Sequence, residues 1–448
     1  MDALKPRREL NLAQTSALVI GGVTGSGVFI NLPIVAKFAG SPGFSAMIWL
    51  IGGLFWIPQI LLLAEMGTAY PDQGGAYCYL DRAGSPFLGF LYVWTAFLTS
   101  DTPTLTIVGL SAASAMKFFY PSLANPLEAK LFATGLIVVL TIVQYRSVRI
   151  GGNVQIALTL TKISPLILVI ILGPFYFNAG HLFVLPSAET MSGTGAVFGM
   201  VTAGISATLW AYAGFTNILY MAGEVKEPHR TLPIALVGSM LFVMVAYTLI
   251  SLSTTAIVPF NDLVSAEGQF INPFAYLGFL SDYAGGFFAI AAFISMVGVL
   301  NSSIMTQPRL EYAIARDGLF FRIFGHLHPK FLTPDYSIVI QSGLSIVLFV
   351  LGGIENMLGY FTLSYVLQNA LVYGAIFFLR KKEDYRPSYR APIWRVLALL
   401  SFASQLYIGY GTFIAYPAAG AIASLGLILS GCPVYWYFRR RQVLAPGQ

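Results

Sequence analysis

Charge is scarce in this chain. Asp, Glu, Lys and Arg together make up 10% of its 448 residues, against about 25% in ordinary soluble domains. The polar stretches are too short to build a separate soluble domain, so residues 1–448 read as one integral membrane body. Cysteine is scarcer still. Cys78 and Cys432 lie far apart, a spacing that excludes a zinc site and a disulfide framework, so no metal and no redox role is expected. Histidine occurs at four positions, His181, His229, His326 and His328, all in loops or at their edges. With no paired acids and no nucleophile–base set at depth, an intramembrane enzyme is excluded. No phosphate-binding glycine loop of the ATPase kind occurs, so any work done on a solute draws on gradients or exchange, and no cofactor is expected. The net charge of +6 reports membrane topology and does not point to nucleic acid.

What the chain has in abundance is apolar sequence, 56% of it. A twenty-residue window finds about twelve spans, the first at 15–38, the fifth at 150–176, the sixth at 196–224 and the eighth at 284–315. The first apolar stretch follows Lys5-Pro6-Arg7-Arg8 and is too long for the core of a cleavable signal peptide. With both termini placed in the cytoplasm, three of the 25 basic residues, Lys37, Lys117 and Lys130, face outward. Lys162 falls in the middle of the fifth span, and the rest lie on the cytoplasmic side, as the positive-inside rule requires of a multi-pass protein of the plasma membrane. An ammonium at mid-depth needs carbonyls, a carboxylate or a water-filled cavity, unless it snorkels to an interface.

Two spans do not suit a continuous helix. In span 1, Gly21-Gly22-Val23-Thr24-Gly25-Ser26-Gly27-Val28 puts four glycines at mid-membrane, each costing about 1 kcal/mol against alanine in a helix. Close packing of small residues is the plain alternative. In span 6, Trp210-Ala211-Tyr212-Ala213-Gly214-Phe215-Thr216-Asn217 repeats the pattern five spans later. Non-helical backbone at membrane depth is tolerated beside protein or water, so paired breaks point to an internal site between two inverted repeats of five spans, 15–176 and 196–379, with 393–438 added after them. Amides at a half-helix start suit a carboxylate and freed carbonyls suit an ammonium, so the ligand expected is amphoteric.

The run Thr24 to Phe29, the stretch Ala64-Glu65-Met66-Gly67 with Tyr70-Pro71 and Gly74-Gly75-Ala76-Tyr77, and Ala222-Gly223-Glu224 with Pro228 and Leu232-Pro233 together resemble the amino acid–polyamine–organocation superfamily. Arg309, Glu311-Tyr312 and Ala315-Arg316-Asp317-Gly318 extend the likeness past span 8, and the L-type amino acid transporter branch is the nearest. The resemblance implies an all-α membrane protein of the leucine-transporter fold with broken helices 1 and 6. It implies that the amides of Thr24, Gly25, Ser26 and Gly27 take a substrate carboxylate. Carbonyls at Gly22, Val23, Trp210 and Ala213, beside Gly214, would take the amino group, and Trp210 would gate the site. Without the likeness, Trp210 reads as a core aromatic. Lys162 resembles the span 5 lysine of sodium-independent members. It would stand in for sodium between span 1 and Asn301 or Ser302 on span 8, and could exchange a proton.

Asp101 departs from the L-type pattern. It is a cation site, a proton site, a partner for Lys162, or a helix cap beside Pro103. Glu65 and Glu224 read as holding loops or gates, and Glu311 is expected to pair with Arg309 or Arg316. The function expected is sodium-independent transport of amino acids by alternating access, as an exchanger (antiporter) or with protons. A polyamine or cationic amino acid carried on Asp101 is the alternative, and a channel fits less well because a continuous pore is missing from the pattern. Light subunits of the family join a heavy partner through a cysteine between spans 3 and 4. Tyr120-Pro121-Ser122-Leu123-Ala124-Asn125-Pro126 has none, so no disulfide-linked heavy subunit is expected.

Overall fold

The computed structural model describes residues 6–25, 27–177, 194–266, 271–278, 281–351, 354–415 and 418–444. Among these, regular structure is helical, with β pairing limited to the isolated bridges Leu10–Val225 and Gln73–Met221. In chain order the helices are α1 Leu12–Val23, α2 Gly27–Ala39, α3 Pro42–Leu54, α4 Ile57–Ala69, α5 Ala76–Arg82, α6 Pro86–Thr95 and α7 Thr102–Ala115. Then follow α8 Pro126–Arg146, α9 Val148–Leu172, α10 Thr194–Ala211, α11 Pro228–Pro233, α12 Ser239–Ile257 and α13 Phe260–Ser265. The remainder are α14 Ser281–Thr306, α15 Pro308–Arg316, α16 Asp335–Leu351, α17 Ile354–Leu379, α18 Trp394–Ala415 and α19 Ala418–Leu444. The longer helices overlap the apolar stretches of the sequence, while the short α5 and α13 fall between them. By length and composition, the stretches Pro42–Ala69, Pro126–Arg146, Val148–Tyr176, Pro228–Ile257 and Ser281–Arg316 are each long and apolar enough to cross a membrane.

Local chemistry sets the ends that matter. Asn11 caps α1 in a reciprocal box with Gln14, which satisfies donors that a helix start leaves free. The other end stops at Val23 because Thr24 turns extended, at φ −73° and ψ 91°. The Thr24 hydroxyl then takes the Ile20 carbonyl at 2.6 Å, a side-chain bond that competes with helix propagation.

Between α6 and α7 the chain widens into a π turn, Ala96–Asp101. Pro103 has no N–H to give, and its ring crowds the carbonyl four residues back, so the wide turn absorbs the mismatch. Asp101 is helical there and makes no cap bond, which removes the capping role considered for it.

Two buried acids tie distant segments together. Glu65 accepts from Arg380 Nε at 2.7 Å and Nη2 at 2.5 Å, from the Tyr385 hydroxyl at 2.9 Å and from the Ala391 amide at 2.8 Å. Glu224, shortly before α11, accepts from Arg309 Nε at 2.9 Å, Arg309 Nη2 at 3.3 Å and Gln73 at 3.0 Å. Arg309 is therefore taken, and Arg316 donates to Tyr312 at 2.9 Å. The expected pairing of Glu311 with either arginine is not found. Residues two apart on a helix face different ways, whereas Tyr312 and Arg316, four apart, are neighbours.

Removing one partner of a buried pair strands the other charge, at about 3–5 kcal/mol. Arg309→Leu should therefore melt well below the wild type in detergent, and adding Glu224→Gln should recover most of the loss. A single variant as stable as the parent would mean that the pair contributes nothing.

Candidate functional site

The site is assembled from a helix face of α9. Gln155, Thr159 and Lys162 stand at i, i+4 and i+7, which puts them in one row. Each donates to backbone carbonyls of α1 or of the residue just past its end. Gln155 and Thr159 reach the Ala17 oxygen at 3.5 and 3.1 Å. Lys162 Nζ reaches the oxygens of Gly21 at 2.7 Å and Thr24 at 2.5 Å.

The carbonyls are available because the helix has ended. Gly25 N–H, which would continue the helix onto Gly21, donates to Val23 at 2.9 Å instead. Lys162 is 4% exposed, and among the described residues no carboxylate pairs with it. The neighbouring helix α14 brings Ser295, whose hydroxyl donates to Thr24 oxygen at 3.4 Å. It also brings Gly298, where an added Cβ would sit 3.5 Å from the ammonium. The small residue makes room for the lysine head.

The two breaks meet. Gly214, at φ 109°, lies so close to the first break that a Cβ there would fall 2.6 Å from the Gly22 oxygen. Gly27, opening α2, faces Ala211 at the end of α10, its added Cβ meeting the Ala211 Cα at 3.6 Å. Val23 oxygen accepts from the Tyr247 hydroxyl at 3.4 Å. Tyr247 packs edge-on to Trp49, at 5.5 Å between centroids, and 5.1 Å from Tyr212. Ala213 lies half-buried in the turn between α10 and Gly214.

The Thr24 and Gly25 amides donate within their own turn, to Ile20 and Val23. The donors left at the start of α2 are the first-turn amides from Gly27 onward, which have no partner inside the helix. Ser26 lies outside the described residues, as does the side chain of Trp210, whose backbone is in the last turn of α10.

Asn301 and Ser302 are near this junction without touching the ammonium. Asn301 accepts from Gln144 at 2.7 Å and donates to Gln155 at 2.8 Å. The Ser302 hydroxyl approaches the Leu18 oxygen at 3.5 Å. The span 8 groups beside Lys162 are thus Ser295 and Gly298, about two turns and one turn earlier than expected. Neither was singled out from the sequence. The spacing of Gln155, Thr159 and Lys162 was the available signal for the α9 row. Asp101 is not joined to Lys162 or to either break by any hydrogen bond or ion pair among the described residues.

A polar cavity of about 890 Å³ lies elsewhere, lined by Asp72, Tyr77, Asp81, Arg82, Arg316 and Asp317 among others. None of the break residues lines it. The Tyr77 hydroxyl donates to Asp317 at 2.7 Å, and burial, then the Asp317 charge, holds Asp81 above the usual carboxylate range. At its wall, burial and then the charge of Asp72 push the Cys78 thiol up to about 12, which keeps it protonated and poorly reactive.

The chain matches the family described as amino acid permease over residues 10–438. It is 27% identical over 439 residues to the serine/threonine exchanger SteT of Bacillus subtilis (strain 168), covering 97% of this chain and 98% of that protein. Against the b(0,+)-type amino acid transporter 1 of Mus musculus it is 25% identical, over 96% of this chain and 88% of that one. Against the mouse large neutral amino acids transporter small subunit 2 it is 26% identical, over 96% and 81%.

The glycines of the two breaks differ in what a methyl would meet. At Gly214 the left-handed backbone alone costs a side chain about 1–3 kcal/mol, and the Gly22 contact adds to it. At Gly25 the nearest atoms to an added Cβ are 3.8 Å away, an ordinary contact. Gly214→Ala should lower the melting temperature, while Gly25→Ala should stay within about 0.5 kcal/mol of the parent. Equal losses at both positions would contradict this account of the junction.

Proposed function

Since the chain belongs to the amino acid permease family, whose members are transporters and not enzymes, we propose that it exchanges neutral amino acids across the plasma membrane by alternating access, independently of sodium. The observation that carries this reading is the Lys162 ammonium on the Gly21 and Thr24 carbonyls. It supplies one fixed positive charge at the end of the first broken helix, where a sodium ion would otherwise be needed to hold those oxygens.

In the proposed topology, twelve spans form inverted repeats over 15–176 and 196–379, followed by 393–438, with both termini cytoplasmic. The helix breaks meeting at Gly22 and Gly214 support it. The substrate carboxylate lies at the start of α2, from Ser26 and Gly27 onward, where first-turn amides and the helix dipole favour an anion. The amino group lies against carbonyls at Gly22, Val23, Trp210 and Ala213, with Trp210 closing over it. Thr24 and Gly25 shape the turn, and Asn301 and Ser302 relay α14 to α9 and α1.

A neutral substrate is favoured over a polyamine because Asp101 has no bonded link to either break. The relatives point the same way: they include a serine/threonine exchanger and a large neutral amino acids transporter subunit. No disulfide-linked heavy subunit is needed, since residues 120–126 carry no cysteine and Cys78 is held inert.

Counterflow in proteoliposomes with labelled serine, threonine and leucine should proceed equally in sodium and choline media, and a sodium requirement would end the ion-replacement reading. Lys162→Ala should slow exchange about tenfold or more, equivalent to about 1.4 kcal/mol on the barrier, with less effect on half-saturation. Normal exchange in that variant would remove Lys162 from the mechanism. Gly25→Val, at a position where an added Cβ meets nothing nearer than 3.8 Å, should abolish uptake by filling the space before the α2 amides. Wild-type uptake would move the carboxylate site elsewhere.

A further inference from the structure

The turn that leads into α16 is built on a histidine. Pro329 follows His328, and proline suits the first position of a helical turn, where its missing N–H has no partner to lose. The Leu332 amide closes the turn on the His328 oxygen at 2.9 Å, and the His328 amide donates to the Thr333 oxygen at 2.9 Å. Leu332 is left at φ 55°, a backbone conformation that persists only where the surroundings hold it.

His328 caps this turn. Its Nδ1 accepts from the Lys330 and Phe331 amides, each at 3.1 Å, the donors that a Ser, Thr, Asp or Asn oxygen takes at an ordinary helix start. The two accepted bonds assign the ring to the Nε2–H tautomer. A charged imidazolium donates from both nitrogens and can make neither bond. Histidine is also the side chain whose charge changes between about pH 5 and 8, so a cap of this kind is lost in acid where an Asn cap is not.

The ring stacks on Phe331 at 4.4 Å and meets Tyr145, from the end of α8, edge-on at 5.3 Å. The Lys330 ammonium lies 5.6 Å from the Phe331 ring, and Arg146 follows Tyr145 as the last residue of α8. Among the described residues no carboxylate pairs with His328. Asp335 is held by His326, whose Nδ1 donates at 2.7 Å, a bond that a charged ring also makes. Acid therefore breaks the cap at His328 and spares the bond at His326.

The turn braces α8. The Thr333 hydroxyl donates to the Tyr145 oxygen at 2.7 Å. The neighbouring Gln144 begins a chain of side-chain bonds that runs through Asn301 and Gln155 to the Ala17 oxygen of α1. We propose that His328 is a pH-sensitive cap: its neutral ring holds the turn 328–333 against the end of α8, and protonation releases the turn and slows transport. A loosened α8 end lets Gln144 leave Asn301, so the chain no longer places Gln155 on α1. The effect on transport rests on the reading above, and the cap itself does not.

The chain has four histidines, so nuclear magnetic resonance on isotope-labelled histidine can follow this ring, identified by the signal missing from His328→Asn. At about pH 7.5 its Nδ1 should carry no proton, and at about pH 5.5 the Lys330 and Phe331 amides should lose about fivefold of their protection from hydrogen exchange, after correction for the intrinsic rate. In proteoliposomes with equal pH on both sides, wild-type serine counterflow should fall about fivefold or more between the same two values. His328→Asn, whose Oδ1 accepts the same amides and takes no proton, should keep both the protection and the higher rate in acid. His328→Ala should show loosened amides at either pH. A protonated Nδ1 at about pH 7.5, or protection that acid leaves unaltered, overturns the cap. An equal fall of counterflow in His328→Asn overturns its role in transport. Absence of counterflow in the wild type at both pH values overturns the transport reading instead, and the amide measurements then decide the cap on their own.

Discussion

The Lys162 ammonium joined to two backbone carbonyls is the interaction on which the rest of the structure depends. A helix that stops in a low-dielectric interior leaves carbonyl oxygens without donors, and each orphan is costly. A lysine brought to the same depth is costly too. Each problem answers the other: the broken end of α1 gives the ammonium oxygen partners, and the ammonium lets the helix end where the glycines and Thr24 stop it. Ser295 and Gly298 on α14 then hold the Thr24 oxygen and leave space for the lysine head. Without Lys162 the Gly21 oxygen would lose its side-chain donor and the Thr24 oxygen would keep only the long bond from Ser295.

Much of this was legible in the sequence because membrane burial makes polarity conspicuous. A lone lysine amid apolar residues had either to be held internally or to snorkel to an interface, and the glycines of span 1 implied carbonyl partners for the first case. The meeting of Gly22 with Gly214 followed from a pattern repeated five spans on. Other features depended on geometry that spacing alone does not carry. Whether Asn301 or Ser295 shared a carbonyl with Lys162 was a question of the register between α9 and α14, which spacing along one helix does not fix. The π turn at Ala96–Asp101 could not be read from Pro103, which signals a disturbance without saying whether the helix breaks or widens.

Glu311 shows how local adjacency misleads. Two arginines on the same short helix made an ion pair look natural, yet Arg309 points to the segment after the second break, where it meets Glu224. Long-range demand for a cation outcompeted a nearby acid on the wrong face. The result is an arrangement in which one acid is satisfied while another, Glu311, stays buried without a hydrogen-bond partner.

The contact between Gly22 and Gly214 has a mechanical consequence. With no Cβ on either side, the backbones touch over only a few atoms, an area small enough to act as a point of rolling. Such a contact resists sliding and separation, because the left-handed turn at Gly214 fits against one carbonyl, but offers little resistance to rotation. Segments on either side should therefore swing about this spot more easily than they shift along it. Displacement grows with distance from a pivot, so the ends of α1 and α10 farthest from the breaks would travel most while the centre of the molecule stays nearly still.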